Sequence, residues 1–170
     1  MVLSNFVREI FLKLDRKEKN FLGGIPFSSE LEREINNYQR YLSLDKFARQ
    51  RTRFGDVAYD QSIPVGYVCF TNLKNATPMK YEGEFIGLEN PLTYVHCRQL
   101  IVDPEFRNKR IGTQLMNACL DFAMKNKKNV VGDVKVENKK MISLLGDLGF
   151  EEKKIWKTPK GSEMIRFFHE

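Results

Sequence analysis

Between Gln99 and Leu115 the chain reads Gln-Leu-Ile-Val-Asp-Pro-Glu-Phe-Arg-Asn-Lys-Arg-Ile-Gly-Thr-Gln-Leu, and no other stretch limits its fold so strongly. It passes from an apolar strand end, through a proline stop and a basic turn, into a helix. Pro104 holds Asp103 extended and offers no amide to a ladder, so a strand has to end there. From Ile111 the apolar side chains fall at Ile111, Leu115, Met116, Cys119, Leu120 and Ala123, which is helical spacing beginning near Gly112. The turn between them brings a helix N-terminus with its unpaired amides together with Arg107, Lys109 and Arg110. That combination suits a pyrophosphate.

A second unit follows. Val130-Val-Gly-Asp-Val-Lys-Val136 reads as a strand, and Asn138 stands where a helix is capped. The run Asn138-Lys-Lys-Met-Ile-Ser-Leu-Leu-Gly-Asp-Leu-Gly-Phe150 completes it.

These residues resemble the two coenzyme-A motifs of the GNAT superfamily of N-acetyltransferases, over roughly residues 94 to 150. The first is Arg or Gln, two residues, Gly, one residue, then Gly or Ala, entered from a strand reading Leu-x-Val-x-Pro. Leu100, Val102, Pro104, Arg107 and Gly112 match it, and Arg110 stands at the middle glycine, where a negative φ would let the loop form. The second is Asn-x-x-Ala-x-x-x-Tyr-x-x-x-Gly-Phe. Asn138, Gly149 and Phe150 match, while Met141 replaces the small residue and Leu145 the tyrosine.

The resemblance implies a mixed α/β fold: a central, largely antiparallel twisted sheet flanked by helices, with two parallel strands splayed apart at the cofactor site. It implies acetyl-CoA as cofactor and a primary amine as acceptor. Backbone groups of Leu100, Ile101 and Val102 would meet pantetheine, with an amide near Leu100 or Ile101 as oxyanion donor. Arg107, Asn108, Lys109, Arg110, Ile111, Gly112 and Thr113 would hold the pyrophosphate. Asn138 would contact the pantetheine arm, cap a helix, or do both. His96, eleven residues before Arg107, lies where the histone-acetylating branch carries a glutamate base, and imidazole suits that task near neutral pH. A strand histidine bonded to a neighbour is the competing reading. Glu82, Glu84 and Glu89 are weaker candidates. Leu145 cannot protonate the departing thiolate, which leaves Ser143, Tyr94 or water.

The acceptor is open among protein amines, aminoacyl-tRNA and small amines. The helix Glu34–Leu42, the Gly66-Tyr67 pair, the long loop 71–92 and Arg98 resemble the acetyltransferase toxins of toxin–antitoxin modules, which would imply a tRNA acceptor and an antitoxin partner. A non-catalytic module that binds acyl-CoA or a partner protein is the alternative of a different class, and a homodimer fits either.

Composition narrows the remainder. With 170 residues, 42% of them apolar, the chain fits one domain spanning 1–170 with an N-terminal helical extension over about 1–25. There is no apolar run of membrane-spanning length and no signal-peptide pattern at the N-terminus, so a cytoplasmic location is expected. Cys69, Cys97 and Cys119 lie apart in apolar surroundings and read as reduced core residues, with no metal site. Residues 1–106 carry 14 basic and 14 acidic side chains, whereas 107–170 carry 14 and 8. That excess is either a solvated lysine surface or a face for an anionic partner such as RNA.

Elsewhere, Ser4 is placed to cap a helix bearing Phe6, Val7, Ile10, Phe11 and Leu14, and Ser28 or Ser29 to start another. Residues 44–52 read as helix or strand. Residues 56–60 and 65–70 form a hairpin whose turn contains Pro64, and a short strand falls near Phe85–Ile86. Strands over 94–102, 154–158 and 164–168 complete the order.

Overall fold

The structure is a computed structural model, and it describes residues 3–16, 19, 28–43, 53–72, 91–158 and 160–170. Helices α1 (Leu3–Lys13) and α2 (Ser28–Leu42) precede the hairpin β1 (Arg53–Asp60) and β2 (Ile63–Asn72). After a 3₁₀ turn at Pro91–Thr93 come β3 (Tyr94–Val102), a second 3₁₀ turn at Pro104–Phe106, α3 (Ile111–Lys125), β4 (Asn129–Lys135) and α4 (Lys139–Asp147). The hairpin β5 (Glu151–Lys157) and β6 (Glu163–His169) ends the chain. The six strands form one sheet in the order β1-β2-β3-β4-β6-β5. Every neighbouring pair is antiparallel except β3 and β4, which α3 joins as a crossover. This is the mixed, mostly antiparallel sheet expected. No described helix is long and apolar enough to cross a membrane.

Two apolar layers hold the sheet. On one face Ile111, Leu115, Met116, Cys119, Phe122 and Ala123 of α3 pack on Phe54, Val68, Phe70, Val95 and Val130, with Leu145 of α4 in the same cluster. The Phe122 ring sits 4.4 Å from that of Phe54 and 5.2 Å from that of Phe70. On the other face Phe6, Val7, Ile10 and Leu14 cover Val57, Tyr67, Cys69 and Ile101. Helix α2 belongs to both layers, since Leu31 joins the α1 side and Tyr38 the α3 side. The Tyr38 hydroxyl donates to the Ala118 carbonyl (3.2 Å), and Asn126 donates to the Tyr41 hydroxyl (3.0 Å). Burial pushes the Cys69 and Cys119 thiols well above their usual range, in keeping with reduced core residues.

Three local details differ from the sequence reading. Helix α1 begins at Leu3, so Ser4 lies within its first turn and does not precede it. The hairpin turns on Gln61 and Ser62, at φ 45° and 71°, the pair of positive values that a two-residue primed turn requires. Pro64 is therefore inside β2, opposite Tyr59, where the register slips beside Ala58 and a missing amide costs little. The ambiguous 44–52, the strand near 85–86 and most of the long loop lie outside the described residues.

Two glycines respond oppositely to a methyl group. A Cβ on Gly66 would stand 2.8 Å from the Ile101 carbonyl oxygen and 3.2 Å from Leu115 Cδ1, whereas one on Gly146 in α4 meets nothing within 4 Å. Urea denaturation should show Gly66→Ala destabilised by about 1–3 kcal/mol through overpacking. Gly146→Ala should gain about 0.5–1 kcal/mol from helix propensity.

Candidate functional site

The ladder between β3 and β4 runs from Tyr94–Asn129 to Cys97–Gly132 and stops. Beyond Cys97, among the described residues, β3 continues to Val102 bonded to β2 alone, while β4 continues bonded to β6. The Asp103 amide donates to the Val65 carbonyl (2.8 Å). Because backbone direction alternates along an antiparallel strand, Ile101 also bonds toward β2, and Leu100 and Val102 direct their amides into the gap. Arg107 Nε reaches the Val102 carbonyl (3.2 Å) from that open side. Of the three residues expected along the arm, Leu100 and Val102 line the gap. Ile101 does not, for its backbone faces β2 and its side chain is buried on the α1 side.

The mouth of the gap is the turn into α3. Asp103 caps the 3₁₀ turn by accepting from the Glu105 amide (3.1 Å), and it also binds Lys13 Nζ (2.7 Å). That bond is the main cause of the raised Lys13 pKa. Asn108 and Arg110 both adopt the left-handed conformation, with φ 63° and 60°. Arg110 therefore does not avoid a positive φ, and the turn forms nonetheless: the chain enters α3 as though a glycine stood there, at a cost of about 1–2 kcal/mol. Arg110 is the N-cap and gives no side-chain cap bond. The first helical bond runs from the Gln114 amide to the Arg110 carbonyl (3.0 Å), so the amides of Ile111, Gly112 and Thr113 have no acceptor within the helix. Gly112 lets the start of α3 pack close to α4, since a Cβ there would stand 3.3 Å from Leu144 Cδ2. Asn108, Lys109 and Arg110 are exposed, and Lys109 Nζ lies 4.9 Å from the centre of the Phe106 ring.

Helix α4 closes the other side. Asn138 caps it by accepting from the Met141 amide (3.3 Å), which makes the cap role real. Leu145 is core. Ser143, expected as a substitute acid, is exposed; two residues from Leu145 is about 200° around a helix, so its hydroxyl faces solvent. Tyr94 packs on Phe168 at the far end of β3, six residues or about 20 Å before Leu100, and is no nearer. The acids at 82, 84 and 89 lie outside the described residues.

His96 pairs across to Thr71 and Val131, and its neighbours Val95 and Cys97 pack toward α3, so its ring occupies the opposite face. It meets a polar cluster there. Asp133, one residue past the last β3–β4 pair, accepts from Arg166 Nε and Nη2 (2.7 Å each) and from Trp156 Nε1 (3.1 Å). His96 Nε2 stands 3.7 Å from Asp133 Oδ2. Arg166 is fully buried, with the Trp156 ring 5.7 Å away. Asp133, Arg166 and Trp156 belong to no motif in the sequence. A signal was available, since Asp133 and Arg166 are single charges inside the apolar runs Val130–Val134 and Met164–Phe168.

Residues 14–150 match the Acetyltransferase (GNAT) family. An uncharacterised N-acetyltransferase of Methanocaldococcus jannaschii is 34% identical over 92 residues, which are 54% of this chain and 41% of that protein. The chain thus spans less than half the length of the curated relatives it matches. Among solved structures, an N-acetyltransferase from Staphylococcus aureus Mu50 superposes with a TM-score of 0.62 at 13% identity, covering 98% of this chain and 88% of that one. Arabidopsis thaliana NAA60, crystallised with acetyl-CoA, gives 0.55 at 14%, covering 79% and 93%. The split parallel pair, the helix N-terminus at its mouth and the match over most of the sequence place this chain in the GNAT acetyltransferase family.

Proposed function

We propose that the chain moves an acetyl group from acetyl-CoA to a primary amine by direct attack. The observation that carries this reading is the open edge of β3 ending on the amides of α3, because one extended ligand with a pyrophosphate at one end satisfies both. Pantetheine would lie along Leu100 and Val102, and the pyrophosphate on the amides of Ile111, Gly112 and Thr113, with Arg107, Lys109 and Arg110 adding charge. The thioester then sits toward the closed end of the gap. The Leu100 amide donates to the oxygen as negative charge develops on it. The amine approaches from the α1 side of the sheet, where His96 accepts its proton through one bridging water. The carbon–sulfur bond breaks, and coenzyme A leaves as a thiolate that takes up, through water, the proton His96 accepted, which returns the base to its neutral form. The acceptor is a protein amine or an aminoacyl-tRNA. Glu34 and Arg98, part of the resemblance to toxins, bind each other at 2.6 Å with Glu34 buried, which accounts for both without an RNA.

Radiolabelled acetyl-CoA added to a cell extract, with protein, RNA and small-molecule fractions counted apart, tests the reading and selects the acceptor. Label no higher than in an enzyme-free blank, from protein shown by calorimetry to bind acetyl-CoA, would favour the binding module. His96→Ala should lower kcat about 10²–10⁴-fold and leave the calorimetric Kd for acetyl-CoA unchanged. Gly112→Val should weaken that Kd about tenfold, because a branched side chain pressed against Leu144, Leu100 and Val102 would push the start of α3 out of place at the mouth of the gap. Arg110→Gly should relieve about 1 kcal/mol of backbone strain in thermal unfolding and hold the Kd within about threefold, since one exposed cation contributes little.

A further inference from the structure

We propose that Asp133 is a positioning residue for His96, holding the imidazole in register with the gap, with Arg166 and Trp156 fixing the carboxylate in turn. This rests on the reading of His96 as the base. An ionised carboxylate offers about four acceptor directions. Three are taken by Arg166 Nε, Arg166 Nη2 and Trp156 Nε1, and His96 Nε2 lies 3.7 Å from Oδ2, the oxygen that accepts only one of the three. The fully buried guanidinium and the indole come from β6 and β5, so the carboxylate is set by two strands outside the gap and cannot follow the imidazole. The spacing is slightly long for a hydrogen bond, as base pairs without substrate often are, and closes when the amine binds. The carboxylate then stabilises the imidazolium without itself taking the proton.

The test is a double-mutant cycle on kcat, assayed by release of the coenzyme-A thiol from acetyl-CoA with a peptide carrying one free α-amine and one lysine. Asp133→Asn should lower kcat roughly 10–100-fold, a share of what a base contributes, with KM for acetyl-CoA unchanged. In the His96→Ala background the same substitution should cost nothing more, because the carboxylate acts only through the ring. Asp133→Asn strands a buried guanidinium, which is costly. A second variant, Asp133→Leu with Arg166→Met, replaces the pair by apolar side chains, should keep the fold by circular dichroism, and should show the same loss. Equal losses in both backgrounds, or full kcat in the Leu/Met variant, would overturn the proposal and leave His96 as base. Full kcat in His96→Ala, or no thiol release by the native protein with either that peptide or an aminoacyl-tRNA as acceptor, would overturn both.

Discussion

One carboxylate fastens the C-terminal half of the sheet at the point where its parallel ladder gives out. Asp133 on β4 is bonded to Arg166 on β6 and to Trp156 on β5, and it faces His96 on β3. Four strands therefore converge on a single side chain one residue beyond the last β3–β4 pair. A parallel pair that separates in mid-sheet leaves backbone groups without partners along both lips. Such an edge persists only when each lip is bonded firmly on its outer side. On β4 that outer bond is the ladder to β6, reinforced by the ion pair; on β3 it is the ladder to β2.

The β3 lip has its own anchors. The register slip between Cys69 and Phe70 leaves Arg98 as an extra residue, which turns toward α2 and binds Glu34 at 2.6 Å. Lys13, at the end of α1, binds Asp103 just past the strand. Removing Arg98 would leave the buried Glu34 carboxylate unpaired, which typically costs about 3–5 kcal/mol, so the pair fixes where α2 sits on the sheet. The exposed pairs on β5, Glu151–Lys153 and Lys157–Glu163, do something different. They charge an edge strand that would otherwise invite pairing with another chain.

The local signals in the sequence carried far. Pro104 ends β3, the apolar spacing from Ile111 becomes α3, and Asn138 caps α4, because each is decided within a few residues. The left-handed Arg110 was not legible, since φ at a helix entry is imposed by how the turn must close and the residue pays for it in strain. The position of Pro64 depended on a register slip, which is a property of two strands and not of one. The Asp133 cluster joins residues 33 apart and more, and charges in apolar strands show that a partner exists without showing which. The outward face of Ser143 has a related cause: it is set by Leu145 entering the core.

Leu145 in turn shapes the proposed chemistry. With that side chain in the core and the Phe150 amide bonded to its carbonyl at 3.0 Å, the C-terminal end of α4 is fixed by packing and offers no hydroxyl to the departing sulfur. General acid catalysis of about 10²–10⁴-fold is forgone on that side. The reaction nevertheless produces an acid of its own. Once the base has taken the amine proton it is an imidazolium, and an imidazolium is a stronger acid than an alkyl thiol by about two pKa units, or about 2.7 kcal/mol in favour of returning the proton to the thiolate. A carboxylate beside the imidazolium narrows that margin, because it stabilises the charged ring. The same group that would hold the base ready therefore also tempers how readily the proton passes on, and a fixed, already thrice-bonded carboxylate tempers it less than a fully available one would.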